Sequence, residues 1–390
     1  MKTSALRFSI PEGTGLVLGL LLSVSAGAGE APKGGDEAEK LLAEAERKRG
    51  PTFPGKDPAF LILPRQVDRT QVSIELLTPE VRGMAAKAVD WITRTQNADG
   101  SWSDKSYIRN TGVTGLCCLA LMAAGNSPRS GKHGKALDRG IEFLLRNAQE
   151  NGIIAGEGSN SLGAMYEHAY ATLALLYAYG NAPWQPGMRN VISKSLQKLA
   201  KSQHLDGGWR YKFSVEGQSD ISVTTKVLWV LRTAKKSGFT VDSEMIKKGV
   251  KFVEQCARPD GTFRYRQSGL HAAPAVGGTA IVALCNNGSL DHVLIPAARD
   301  RIAYEFRRYP AQDLKTRRYF MDGAFQASIA MFMCGDEYWV PFFGKTAAVL
   351  AATQSKDGEW LDEQGNLTYV TAMGAIVLHA PYGNLPLYER

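Results

Sequence analysis

The sequence predicts an all-α protein built from helical hairpins that form two concentric rings of helices. Three observations lead to this fold class. A short motif, Asp-Gly-x-aromatic, recurs about every 50 residues along the chain. Each copy is followed by an apolar run of helical length, and each run ends at a glycine. A motif repeated at a fixed period indicates a repeat architecture, here with six hairpins.

The repeated motif has Gln three residues before the Asp in most copies. Asp-Gly is typical of a tight turn, so we expect the aromatic residue to cover the end of a helix and the Gln to bond free backbone groups there. We assign a structural rather than a catalytic role to these positions. The members are Gln96, Asp99, Trp102, Gln203, Asp206, Trp209, Asp260, Phe263, Gln354, Asp357 and Trp360. A weaker copy is centred on Asn151, and a sixth is lost near Arg307-Arg-Tyr-Pro310.

Each hairpin is predicted to pair an amphipathic outer helix with an apolar inner helix. In the first, Thr78 followed by Pro79 is an N-cap pattern, and residues 81–95 place apolar side chains at helical spacing. The run 113–124 is apolar nearly all round, which is typical of a buried helix. Glycine just past a helix end accepts the left-handed backbone that terminates it. The closing glycines are Gly125, Gly180, Gly238, Gly288, Gly335 and Gly383.

The N-terminus predicts export. Lys2 and Arg7 precede a short apolar core at 16–24, and the small residues at 26–28 fit a cleavage site. We therefore predict a signal peptide at 1–28, a linker and N-terminal extension at 29–77, and the repeat domain at 78–385. An uncleaved membrane anchor is the alternative. The predicted location is the periplasm or cell envelope, with no transmembrane domain after signal removal.

Charge and cysteine usage exclude other classes of protein. The formal net charge of +8 is mild and accompanies no nucleic-acid motif, so we expect no nucleic-acid partner. The five cysteines give no disulfide framework, and most lie in apolar runs where a free thiol packs as a small hydrophobe. We expect a monomer without a cofactor.

The Gln-x-x-Asp-Gly-x-Trp pattern resembles the QW repeat of the squalene–hopene cyclase and protein prenyltransferase superfamily, the terpenoid cyclase superfamily. The resemblance covers about residues 78–385. It implies an α6/α6 double-ring toroid of the kind in squalene cyclase C-terminal domains and in prenyltransferase and squalene oxidase repeat proteins. A full triterpene cyclase carries two such barrels, whereas this chain has room for one.

Candidate site residues stand where the inner helices begin, since these ends meet around the centre of a double ring. Polar side chains there either face a ligand or cap their helices. For Thr111, Thr279 and Thr368 we predict capping. The predicted ligand-binding residues are Tyr166, Glu167, Tyr170, Thr224, Tyr319 and Asp322.

His168 and Asp220 are the candidate catalytic pair. The segment around His168 resembles a diphosphate-binding segment of prenyltransferases, and Asp220 occupies the place of a zinc ligand in that family or of the acidic motif in cyclases. Ser222 stands where the zinc thiolate would be, so we predict no metal site. The alternative to a functional pair is that Asp220 caps its helix while His168 fills space.

Three functions remain open. The first is binding of a lipid, isoprenoid or glycan ligand in the ring without the usual cyclase or zinc chemistry. The second is a divergent isoprenoid cyclase or transferase that uses Asp220 and His168. The third is a polysaccharide-active enzyme, which needs two opposed carboxylates and would take them from Glu167 or Asp220 together with Asp322.

Overall fold

Twelve α-helices alternate between an outer and an inner layer in the described part of a computed structural model of the chain. The predicted signal peptide and nearly all of the predicted linker lie outside the described residues. The described residues belong to a compact unit that spans 54–390. They are 75–105, 107–156, 163–182, 185, 187–269, 274–285, 290–309 and 320–385.

Odd-numbered helices lie outside and even-numbered helices inside. The outer helices are α1 Pro79–Arg94, α3 Gly134–Arg146, α5 Met188–Lys201, α7 Ser243–Cys256, α9 Ile295–Arg308 and α11 Asp336–Thr353. The inner helices are α2 Thr111–Ala123, α4 Ala164–Tyr179, α6 Ile221–Lys236, α8 Gly277–Leu284, α10 Phe320–Cys334 and α12 Thr368–His379. The described residues include isolated β-bridges but no β-strand.

The inner helices form a closed ring. Each packs against the inner helix before and after it, and α12 packs against α2. Each outer helix packs on the inner helix that precedes it in the chain, so α1 packs on α12. This arrangement confirms the predicted all-α double ring.

The hydrophobic pattern explains which layer each helix occupies. Every residue of α2 is buried, as the all-round apolar run predicts. Outer helix α1 buries one face only, and it begins at the predicted cap, where the Thr78 hydroxyl accepts from the Val81 amide. Four of the predicted closing glycines, Gly125, Gly238, Gly335 and Gly383, have positive φ. Gly180 ends α4 with right-handed backbone instead, and Gly288 lies outside the described residues.

The repeated motif joins three elements in the same way in three hairpins. In the third hairpin the Trp209 indole N–H donates to the Leu199 carbonyl at 2.8 Å, and the Trp209 amide donates to the Thr224 hydroxyl at 2.9 Å. Gln203 donates to the carbonyls of Gly207 and Met245. The motif thus ties an outer helix to its inner partner and to the next outer helix. The equivalent bonds start from Gln96, Trp102, Gln354 and Trp360.

Asp and Gly complete each motif turn. Asp99 and Asp260 each accept a backbone and a hydroxyl bond from the residue two positions on. Gly207 has φ +89°, and a Cβ there would lie 2.5 Å from the Lys248 carbonyl oxygen. Glycine is therefore required both by backbone conformation and by the close approach of the next outer helix.

Asp104 closes the ring between its first and last hairpins. Its carboxylate accepts three backbone N–H groups at the start of α12, from Leu367, Thr368 and Tyr369, at 2.8 to 2.9 Å. These donors have no partner within the helix, because the first turn of an α-helix leaves its N–H groups free. A side chain 264 positions before Thr368 therefore caps the last inner helix.

Replacing Asp104 with alanine is expected to lower the free energy of unfolding by about 2 kcal/mol, because buried donors lose a charged acceptor. Asp242 is a matched control, since it caps outer helix α7 from an exposed position through one bond, to the Glu244 amide. We expect Asp242→Ala to cost less than about 1 kcal/mol. Urea unfolding curves of the two variants measure both values. Equal losses would show that Asp104 contributes no more than an ordinary exposed cap.

Candidate functional site

Side chains from opposite sides of the inner ring meet in its interior. Helices α4 and α10 are separated by two inner helices in either direction around the ring. Nevertheless, the Asp322 carboxylate on α10 lies close enough to the phenols of Tyr166 and Tyr170 on α4 to raise the pKa of each, after the larger effect of burial. These three side chains therefore face one another across the centre, at the end where the inner helices begin.

Lys226 projects from α6 into this central cluster. Its side chain is only 2% exposed, and its Nζ lies 5.9 Å from the centre of the Tyr166 ring. Burial lowers the pKa of Lys226, while the carboxylates of Asp322 and Asp220 oppose that shift. Among the described residues, Nζ makes no hydrogen bond and no ion pair within 4 Å. A buried ammonium without bonded partners is costly.

Three further buried polar atoms in the cluster have no hydrogen-bond partner among the described residues. They are Asp220 Oδ2, Tyr170 Oη and Gln326 Oε1. Gln326 is held in place through its other end, because Nε2 donates to Asp322 Oδ1 at 2.6 Å. Buried polar groups are nearly always bonded in folded proteins. Several other residues of the described chain also carry such an atom, but these three belong to one cluster and can therefore share a ligand.

The cluster has a buried floor and a partly exposed rim. Lys226, Asp220 and Gln326 are buried. Tyr166 and Asp322 are partly exposed, so solvent reaches the cluster at these two residues. Three other tyrosines, Tyr211, Tyr265 and Tyr369, are also partly exposed nearby. The Tyr211 ring lies 5.8 Å from that of Tyr166, and the hydroxyls of Tyr211 and Tyr265 are in contact.

Asp220 is the N-cap of α6, as one of the two sequence interpretations predicted. Its Oδ1 accepts from the Val223 amide at 2.9 Å and from the Ser222 hydroxyl at 2.6 Å. Burial raises the pKa of Asp220, and these two bonds with the charges of Arg210 and Arg266 oppose the shift. One carboxyl oxygen is thus committed to the helix, whereas Oδ2 is available to a ligand.

His168 is not paired with Asp220, and the prediction that it faces the interior is wrong. Its Nδ1 accepts from the Ile154 amide at 3.0 Å, and its Nε2 donates to the Ser195 carbonyl on outer helix α5 at 3.3 Å. Both ring nitrogens are therefore used by backbone groups, which fixes a neutral tautomer. Burial lowers the pKa of His168 to about 4.

Other predicted residues lie outside the central cluster. Thr224 bonds the Trp209 backbone and belongs to the turn. Glu167 is buried between inner helices α4 and α2, where it accepts from the Thr111 hydroxyl. Tyr319 lies outside the described residues.

The three predicted threonine caps are wrong. Asn110 caps α2 in place of Thr111. Thr279 bonds Thr225 and the Val276 carbonyl. The backbone N–H of Thr368 is capped by Asp104. Only Asn110 directly precedes the segment that was predicted to contain the cap, whereas Asp104 comes from the first hairpin.

Lys226 and Gln326 were missed by the sequence analysis. Both lie in apolar inner helices, several residues after the helix starts where candidate site residues were predicted. A single lysine inside the run Val223-Thr-Thr-Lys-Val-Leu-Trp229 was the available signal, since lysine is rarely fully buried without a partner.

No group of three His, Cys, Asp or Glu side chains among the described residues is placed to hold a metal ion.

Comparison with known families supports the predicted resemblance. The family model of the squalene–hopene cyclase C-terminal domain matches residues 70–164, and solved terpene cyclases share the fold. The chain therefore resembles the terpenoid cyclase superfamily in sequence and in fold. No curated protein sequence matches it significantly.

Solved structures of the same fold have unrelated activities. An α-1,6-mannanase from Salegentibacter sp. HEL1_6 aligns over 78% of this chain and 100% of its own, with TM-score 0.56 and 9% identity. A type II terpene cyclase from Scytonema, in complex with geranylgeranyl dihydroxybenzoate, aligns over 80% and 99%, with TM-score 0.56 and 13% identity. An α-amylase from Clostridium perfringens aligns over 77% and 97%, with TM-score 0.55 and 13% identity. At these identities the likeness establishes the fold alone.

None of the described helices combines the length and the hydrophobicity that a membrane span needs.

We expect the free energy of unfolding to fall in acid, because His168 is buried and its pKa is lowered. Because its folded pKa of about 4 lies below the unfolded value of 6.5, its contribution is fully present above pH 6.5 and is lost as the pH falls toward 4. We expect about 3 kcal/mol less stability at pH 4 from this group. Urea unfolding of His168→Gln should show a weaker pH dependence than the wild type over this window. The same slope in both proteins would contradict a neutral buried His168.

For Asp220 we expect the opposite dependence of stability on pH. Its folded pKa is raised, so its favourable contribution is present in acid and is lost as the pH rises through the raised pKa. Asparagine keeps the capping oxygen but does not ionise. The thermal midpoint of Asp220→Asn relative to wild type should therefore increase from pH 3 to pH 7. A midpoint several degrees below wild type at pH 7 would mean that the ionised carboxylate stabilises the helix.

Proposed function

We propose that this protein binds a polyhydroxylated ligand, a glycan, in the interior of its helical ring. The observation that carries the proposal is a set of buried polar atoms at the centre that have no hydrogen-bond partner among the described residues: Asp220 Oδ2, Tyr170 Oη and Gln326 Oε1. The buried Lys226 lies beside them, with its Nζ 5.9 Å from the centre of the Tyr166 ring. A sugar hydroxyl both donates and accepts hydrogen bonds. It can therefore serve the lysine as an acceptor and the two oxygens of Asp220 and Gln326 as a donor.

A hydrocarbon ligand would leave these same atoms unpaired. Each unsatisfied buried group costs about 1–3 kcal/mol, and three of them oppose an apolar occupant. The partly exposed tyrosines of the rim suit a glycan as well, because an aromatic ring combines an apolar face with a polar hydroxyl. The mannanase and the amylase show that this fold can accommodate glycans.

An isoprenoid ligand is the second candidate. Two features favour it. The pKa of Asp220 is raised, which helps its carboxyl group to retain the proton that a cyclase acid must donate. The aromatic rings of Trp229 and Phe325, whose centres lie 6.0 Å apart, are of the kind that shelters a carbocation. Against it, the segment Ser219-Asp-Ile-Ser222 keeps one of the acidic residues of the cyclase motif. We therefore propose binding without cyclase or zinc chemistry.

Isothermal titration calorimetry with α-1,6-mannotriose, maltotriose and geranylgeranyl diphosphate tests the two candidates. We expect heat from a glycan, and loss of that heat in Lys226→Met and in Asp220→Asn, which turns an acceptor into a donor. Lys198→Met is the matched control, since Lys198 lies on outer helix α5 over the Phe213 ring. Binding of the diphosphate alone, or glycan binding unaffected by Lys226→Met, would contradict the proposal. Release of smaller sugars during the titration would indicate a polysaccharide-active enzyme instead.

We also propose that the protein acts outside the cytoplasm, on the basis of the signal-like residues 1–28. N-terminal sequencing of the native protein should begin at residue 29. A sequence that begins at Met1 would favour a retained anchor.

A further inference from the structure

We infer that Lys226 is a carbonyl-reactive lysine, whose ε-amine forms an imine with an aldehyde or ketone that enters the ring interior. The inference does not depend on the glycan proposal, because it concerns the chemistry of the amine and not the rest of the ligand. It rests on the burial of Lys226, on the Tyr166 ring centre 5.9 Å from Nζ, and on the lack of a bonded partner for Nζ among the described residues.

The first requirement for imine formation is an amine with a free lone pair. Lysine is unreactive while its ammonium is held by hydrogen bonds and ion pairs. Lys226 Nζ has neither among the described residues and is 2% exposed. Burial of this kind favours the neutral amine and lowers the pKa of Lys226, which is how lysine nucleophiles are activated.

The second requirement is a nearby group that transfers protons. The amine lone pair attacks the carbonyl carbon, and the π electrons move to oxygen, which takes a proton as nitrogen loses one. The carbinolamine then loses its hydroxyl as water when an acid protonates it, and the nitrogen lone pair forms the C=N bond. Asp220 and Asp322 are carboxyl groups whose charges act on Nζ. Because neither forms an ion pair with it within 4 Å, the protons pass between them through water. The balance is amine plus carbonyl to imine plus water, with no redox change.

The third requirement is an environment that tolerates the protonated imine. The face of the Tyr166 ring lies 5.9 Å from Nζ, within the range of a cation–π interaction. The two carboxylates that oppose the lowered pKa of Lys226 also favour a positive charge on nitrogen. Access is through the side of the cluster where Tyr166 and Asp322 are partly exposed, so the inference concerns small carbonyl compounds first.

Reductive trapping tests the inference. The folded protein is treated at pH 7 with propanal and sodium cyanoborohydride, and labelling of each lysine is followed with time by peptide mass spectrometry. We expect Lys226 to be labelled at least about tenfold faster than the exposed lysines Lys87 and Lys248. In urea, where the fold is lost, the difference should disappear.

Lys226→Arg provides the variant control, because it keeps a positive charge but has no reactive amine. Its remaining lysines should be labelled at wild-type rates. Labelling of Lys226 in the folded wild type at or below the rate of Lys87 and Lys248 would overturn the inference, and this comparison needs no variant. Glycan binding in the calorimeter with slow labelling of Lys226 would retain the proposed function and reject the imine.

Discussion

Replacement of Trp209 with alanine is expected to lower the free energy of unfolding by about 4 kcal/mol, the usual cost of removing a large buried aromatic side chain. Trp209 is fully buried and joins two layers of the ring. Its indole bonds the end of α5 and its backbone bonds Thr224 at the start of α6. Since each hairpin packs against its neighbours, loss of this side chain affects the closed ring and not one loop.

Two control variants separate the contributions of Trp209. Trp209→Phe keeps most of the apolar volume and removes the bond to Leu199, so it should cost about 1–2 kcal/mol. Phenylalanine already stands at the equivalent position of the next repeat, Phe263, and is buried there. Leu205→Ala lies in the same turn at a fully exposed position and should change stability by less than about 0.5 kcal/mol. Equal effects of Trp209→Ala and Leu205→Ala in urea unfolding would contradict the structural role of the motif.

Replacement of Lys226 with methionine is expected to weaken glycan binding about 100-fold, equivalent to about 2.7 kcal/mol. The sugar hydroxyl that accepted a hydrogen bond from Nζ is left buried without a donor in this variant, which accounts for a loss of this size. The same change should leave the thermal midpoint unchanged or raise it, because methionine replaces a buried amino group, which has no bonded partner among the described residues, with an apolar side chain of similar length. Calorimetry and thermal unfolding of one protein preparation measure the two effects.

The effects of Lys226→Met on ligand affinity and on the thermal midpoint together distinguish a binding residue from a structural one. If Lys226 stabilises the fold through the carboxylates of Asp220 and Asp322, then Lys226→Met should lower the midpoint by several degrees. Asp322→Asn is the matched variant, because it keeps the bond that Asp322 Oδ1 accepts from Gln326. A destabilised Lys226→Met protein that still binds glycan would contradict the assignment.

The fold could be predicted from the sequence because its determinants are local and repeated. The Asp-Gly turn with its Trp produces the same bonds at residues 102, 209 and 360. The helix layers follow from how much of each helix is apolar. The lost copy near residue 308 did not change the predicted number of six hairpins, because the closing glycines recur with the same period. In the structure, α9 and α10 form the hairpin that lacks the motif.

The candidate site could be predicted only in part, because side-chain direction depends on packing between helices. Tyr166 and His168 are two positions apart on α4, yet the first faces the interior and the second bonds outer helix α5. Residues two apart on a helix point about 200° apart in direction, and the sequence alone did not establish which of them faced inward. Lys226 lies five residues after the start of α6, whereas the candidate residues were predicted at the helix starts.

A high-resolution crystal structure of the unliganded protein tests the polar nature of the ring interior most directly. Unpaired buried polar groups recruit ordered water when no other ligand is present. We predict ordered waters within hydrogen-bond distance of Lys226 Nζ, Asp220 Oδ2 and Gln326 Oε1, in positions that sugar hydroxyls would occupy. A dry interior, with Lys226 in a direct ion pair and these oxygens bonded within the protein, would contradict a glycan site at the centre of the ring.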